Sequence, residues 1–148
     1  MSAVAESTIG NIIADCLAHN EDERDLIFAL LIDPNLRLIS KGQILMHILK
    51  AEFSDLAKAY PNLEKRLEEM RELRNRCAHS FPNATDEFIE EHGTNVIGFV
   101  WYAKGIRHTR ELTYDEAQAR AREIANIVSD LGTIRQKMGE RMGGFPPI

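Results

Sequence analysis

Residues 63 to 80 read Leu63-Glu64-Lys65-Arg66-Leu67-Glu68-Glu69-Met70-Arg71-Glu72-Leu73-Arg74-Asn75-Arg76-Cys77-Ala78-His79-Ser80. Apolar residues recur there at steps of three and four, which is the period of an α-helix. Advancing about 100° per residue from Leu67 gathers Leu63, Met70, Leu73, Cys77 and Ala78 into one arc between about −120° and +20°. Pro61 ends the helix before it, Asn62 caps this one, and Pro82 closes it. Arg74 falls at about −20°, inside the apolar arc, while Glu72 and Arg76 fall on the solvated side. A guanidinium does not shed its proton, and burying it unpaired costs several kcal/mol. Arg74 is therefore expected to pair with a carboxylate of the fold, or to face a wet cleft or a subunit interface.

Working outward, the chain before this helix is also helical. Ile9, Ile12, Ile13, Cys16 and Leu17 define a first helix from Ser2 to about Ala18. Asn20 with Glu23 forms a capping-box pattern for a second, whose expected stripe is Leu26, Ile27, Leu30 and Leu31. Ser40 with Gln43 is another such pattern. It predicts a third helix running to about Tyr60, with Ile44, Leu45, Ile48, Leu49, Phe53 and Leu56 inward. After the 63–80 helix the composition changes. Val96-Ile97-Gly98-Phe99-Val100-Trp101-Tyr102 is β-branched and aromatic, Ala103-Lys104-Gly105 is a turn, and residues 106–112 alternate as a return strand. Thr113 with Glu116 caps a last helix of roughly 26 residues, or about 39 Å, in which Gly132 is a site for a bend and Gly139 for an end. The expected fold class is all-α: a bundle of about five helices with a β-hairpin insert before a long C-terminal helix. Residues 1–142 are expected to form one domain and residues 143–148 a fraying tail.

The sequence has 148 residues, 44% hydrophobic and 28% charged, with a formal net charge of −5. That size carries a sizeable core without staples. The acidic balance argues against a broadly basic nucleic-acid coat, although it permits a local basic cleft. Two cysteines, Cys16 and Cys77, are too few and too far apart for a disulfide framework or a paired metal site. No stretch is long and apolar enough to span a membrane, and the N-terminus lacks the pattern of a secretory signal. A cytoplasmic protein with reduced thiols is the expectation. His19, His47, His92 and His108 show no metal-ligand spacing, so neither a metal nor a cofactor is expected. No Gly-rich phosphate loop is present. Glu90, Glu91 and His92 read as a solvated loop.

Asn75 and His79 are four apart and share a helix face, so the amide can hold an imidazole nitrogen and select its tautomer. The imidazole titrates near neutrality, as proton-transfer chemistry needs. Arg74 and His79 lie about 140° apart on a regular helix, so a cleft along the helix or a second copy is needed to bring them together. Arg71, Arg74 and Arg76 on this helix, with Lys104, Arg107, His108 and Arg110 on the hairpin beside Trp101 and Tyr102, make local positive charge interleaved with aromatics. Such a set suits phosphate contact and base stacking. Its plainer reading is a Trp101 that packs the hairpin, with solvated charges around it.

Arg74-Asn75-Arg76-Cys77-Ala78-His79 resembles the Arg-x(4–6)-His signature of the HEPN superfamily of small α-helical domains, and Leu73 to Ser80 looks like a common bacterial version of it. The resemblance covers roughly residues 26 to 80. It implies a homodimer whose paired motif helices form a composite cleft, and a metal-independent endoribonuclease of the toxin or defence kind. On this chain His79 would act as base or acid at the ribose 2′-OH, Arg74 would stabilise charge on the phosphorane, and Asn75 would orient. Arg71, Arg76, Lys104, Arg107 and Arg110 are the expected RNA contacts. The resemblance equally admits a non-catalytic dimerisation or regulatory module, or a subunit pairing with an antitoxin or a nucleotidyltransferase.

Overall fold

The computed structural model describes residues 2–33, 36–78 and 80–144, with side chains at all of these except Ser2, Arg76, Cys77, Ala78 and Ala103. The elements run α1 (Ser2–Leu17), α2 (Glu21–Leu31), α3 (Leu38–Glu52), α4 (Ser54–Ala59), α5 (Leu63–Ala78), β1 (Phe81–Asn83), α6 (Asp86–His92), β2 (Val96–Ala103), β3 (Ile106–Thr113) and α7 (Tyr114–Met142). The protein is mostly helical with a small antiparallel sheet, as expected. It divides into two compact units, Met1–Arg71 with Ala125–Ile148, and Glu72–Ile124.

The first unit is all helix. Ile9, Ile12 and Ile13 of α1 are buried, as are Leu45 and Leu49 of α3, Leu56 of α4, Leu63, Leu67 and Met70 of α5, and Ile127, Leu131, Ile134 and Met138 of α7. Gly42 permits a close approach, since a Cβ there would lie 3.1 Å from Leu67 Cδ1. Asn20 caps α2 by accepting from the Glu23 amide at 2.9 Å. The Glu23 carboxylate returns not to Asn20 but to the amide of His19, at 2.9 Å.

Three helical expectations are corrected here. The α2 stripe is only half buried: Leu31 is inside, but Leu26 and Leu30 are 63% and 64% exposed. In α2 the inward face is shared with Arg24, which turns to an acid on α1, and this rotates Leu26 and Leu30 outward. The capping pattern at Ser40 is not used, because α3 already starts at Leu38 after Arg37, which makes no side-chain cap bond. The helix expected to run unbroken to Tyr60 bends at Phe53 (φ −134°, ψ 53°) into α3 and α4. The bend keeps the hydrogen bonds from Phe53 N to Leu49 O and from Ala57 N to Phe53 O.

The second unit is built on the sheet. β2 and β3 pair from Val96↔Thr113 to Ala103↔Ile106. They are joined through Lys104 (φ 52°) and Gly105 (φ 77°), the left-handed pair that a two-residue hairpin turn needs. The expected two-stranded hairpin is in fact a three-stranded sheet of order β1-β2-β3, because Phe81–Asn83 pairs with residues 98–100. Pro82 has no N–H to give to a ladder, which suits this edge position. Residues 90–92 belong to a helix rather than a loop. Thr85 caps α6 by accepting from the Phe88 amide at 3.3 Å. Phe88 lies on Gly98, where a Cβ would sit 2.7 Å from its Cζ. His92 stacks on Phe88, with centroids 4.4 Å apart, and reaches Glu111 at 3.1 Å. Thr113 and Glu116 form the expected capping box, with bonds of 2.8 Å from Thr113 N and 3.2 Å to Thr113 Oγ1. α7 runs unbroken through Gly132 and Gly139 to Met142. With α3 and α4 counted separately and α6 added, the described residues hold seven helices rather than about five.

Candidate functional site

α5 carries the motif. Its buried side chains are Leu63, Leu67 and Met70. Beyond them Leu73 is half buried, and Arg74 and Asn75 are exposed. Among the described members of the apolar arc, Leu63, Leu67 and Met70 are buried and Leu73 is partly so. Arg74 is not on a buried face, which corrects the reading from angular position alone. The arc says which residues align, and only a covering element decides which of them leave water. Arg76 lies in α5 with its side chain outside the described residues, and His79 lies outside them altogether.

Arg71 is half buried and tied within its own helix. Its Nε donates to Glu68 Oε2 at 2.9 Å, and its Nη2 donates to Oε1. The Arg71 guanidinium holds the Glu68 carboxyl below the usual carboxylate range. This leaves Arg71 less suited to meeting a phosphate than its place in the sequence suggested.

The strand register sorts the remaining expected RNA contacts. Residues directly opposite one another share a face of the sheet, and neighbours along a strand alternate. Tyr102 pairs with Arg107, and Val100 with Thr109 and Phe81. These stand on the same face as Gly98, on which Phe88 of α6 lies. Phe99 pairs with Arg110 and Trp101 with His108 on the opposite face. There Trp101 and His108 stack, with centroids 5.4 Å apart and planes at 16°. Trp101, His108 and Arg110 are half buried, whereas Lys104 and Arg107 are exposed. The hairpin members of the basic and aromatic set expected from sequence therefore fall into two groups, the first joined by Phe81 of β1, which sequence reasoning had not included. One is exposed (Phe81, Tyr102, Lys104, Arg107), and the other is half buried (Trp101, His108, Arg110).

Sequence reasoning missed the buried charges of the first unit. The Asp15 side chain is fully buried between two arginines. It accepts from Arg24 Nε at 2.7 Å and from Arg135 Nη2 at 2.8 Å. Asn11 accepts from Arg24 at 2.9 Å. Lys41 is 0% exposed and meets Glu6 at 2.5 Å. The only local signal was an acid set among Ile12, Ile13 and Cys16 on an apolar face. The partner Arg135 is 120 positions away, beyond any pattern rule. Every one of these groups is engaged, which suits holding helices together more than chemistry. Burial, with Asp15 adding to it, pushes the free Cys16 thiol up to about 11. Cys16 lines an open groove of about 570 Å³ with His47 and Phe53, but it is a thiol there and not a nucleophilic thiolate. Among the described residues no three His, Cys, Asp or Glu side chains gather to hold a metal ion, and no helix is long and apolar enough to cross a membrane. The chain matches no protein-family model, no curated protein and no solved structure.

Proposed function

We propose that this protein is a HEPN-like, metal-independent endoribonuclease of the toxin or defence kind, acting as a homodimer through Arg74, Asn75 and His79. The observation that carries the reading is the exposure of Arg74 and Asn75 toward the end of α5. Both side chains reach the helix surface, where an RNA backbone can approach them. RNA brings its own nucleophile, so the protein has to move protons and stabilise charge. His79 takes the 2′-OH proton, and the 2′-oxygen attacks phosphorus. Arg74 neutralises the non-bridging oxygens, and the 5′-oxygen leaves with a proton from imidazolium. The products are a 2′,3′-cyclic phosphate and a 5′-OH. Proton transfer of this kind is worth about 10²–10⁴ in rate, and a well-placed donor to the phosphorane about 10²–10³. A second copy supplies the convergence that one helix denies to Arg74 and His79.

Purified protein incubated with RNA in EDTA is expected to yield cyclic-phosphate ends. His79→Ala and Arg74→Ala should each lose about 10²-fold or more of the rate while keeping the wild-type melting temperature. A folded wild type that leaves a broad set of RNAs intact would return the protein to the non-catalytic alternative, a dimerisation or partner-binding module.

A further inference from the structure

The open end of the sheet in the second unit carries two aromatic rings in water. Phe81 on β1 is 68% exposed and Tyr102 on β2 is 66% exposed. Phe81 is opposite Val100, so Tyr102, two positions on, is its diagonal neighbour on the same face, roughly 7–8 Å away along the ladder. Arg107 is directly opposite Tyr102, and Lys104 stands in the adjoining turn. Among the described residues neither cation has an ion-pair partner. The acid of this face, Glu111, is engaged by His92 at 3.1 Å at the α6-covered end.

Large exposed rings are unfavourable on a sheet face unless something covers them. The charge beside them selects the cover. A purely apolar protein partner would strand Arg107 and Lys104. A nucleic-acid strand places flat bases on the rings and phosphates on the cations together. Bases paired in a duplex have no free face to offer. The rings also begin two residues after His79 in the chain, on the strand that follows the motif helix. We infer that Phe81, Tyr102, Arg107 and Lys104 form a platform for two unstacked bases of a single RNA strand. Its substrates are therefore single-stranded. That the strand is RNA rests on the function proposed above.

The test uses the full chain and a fluorescent single-stranded 2′-O-methyl RNA, which keeps the bases and phosphates but lacks the nucleophile, so that binding is read without cleavage. Phe81→Ala and Tyr102→Ala should each weaken binding about 5- to 150-fold. Phe81→Tyr and Tyr102→Phe, which keep the rings, should bind as the wild type does. Arg107→Ala should lower the salt slope by about 1. The same sequence as a duplex should bind more weakly than the single strand. Alanine variants that bind like the wild type, or a duplex bound as tightly as the single strand, would overturn the platform. So would a wild type that does not bind the strand. Ring-dependent binding without cleavage of unmodified RNA keeps the platform and removes the nuclease. Cleavage with ring-independent binding does the reverse.

Discussion

The two units use charge in opposite ways. In the first, five cations are tied to acids of other helices. Arg24 and Arg135 close on Asp15, Lys41 on Glu6, Arg66 on Asp130 at 2.6 Å, and Arg141 on Asp55 at 2.6 Å. In the second, Lys104 and Arg107 stand in solvent beside bare aromatic rings. A charge that has left water must be matched by the fold. A charge still in water has its pairing capacity available to a ligand. The contrast therefore separates side chains that hold the helices from side chains free to meet something else.

The sharpest way to break this contrast is Asp15→Ala. It leaves two largely buried guanidinium groups facing each other, and should cost about 3–5 kcal/mol of unfolding free energy, measured by urea denaturation. A much smaller loss would mean that the Asp15 cluster is not what holds α1, α2 and α7 together.

A smaller effect is expected at the capping box of α7. Thr113→Ala removes one of its bonds and should cost about 1 kcal/mol in the same assay. The Glu116 half of the box depends on pH. Its bonds from Thr113, backbone first, hold the Glu116 carboxyl below its ordinary value of 4.5. The stability it adds is therefore complete above that value and is lost as pH falls through the lower, folded one. The wild type should exceed Glu116→Gln in stability at neutral pH, and the two should converge in acid.

The smallest effect sharpens the contrast from the other side. Arg107→Ala should change unfolding free energy by no more than about 0.5 kcal/mol, even as it weakens RNA binding. A large loss would show that Arg107 is structural after all.

What could be read from sequence was what is local. The Thr113–Glu116 box closes within three residues and folds as written. The hairpin turn at Lys104-Gly105 is as short and was equally legible. Strand β1 was missed because three residues containing a proline carry no alternation, and its identity is fixed by β2, seventeen positions away along the register. Helix α6 was missed because it buries one residue, Phe88, which is too little to make a period. The candidate site was half legible. The residue types and their spacing on α5 were visible, but the exposure of Arg74 is not set by its angle on the helix. The division of the basic cluster into two faces depends on strand parity, which is apparent only once the register is known. The Asp15 pairing with Arg135 had no local trace at all.

Lys41 carries a consequence of its own. Its ammonium is sealed between α1 and α3 against Glu6, out of reach of amine-acylating reagents while the helices stay together. Footprinting with an activated ester would mark surface lysines such as Lys104 within the first exposure. It would reach Lys41 only when α1 and α3 part, which makes this one side chain an internal clock for opening of the helical unit.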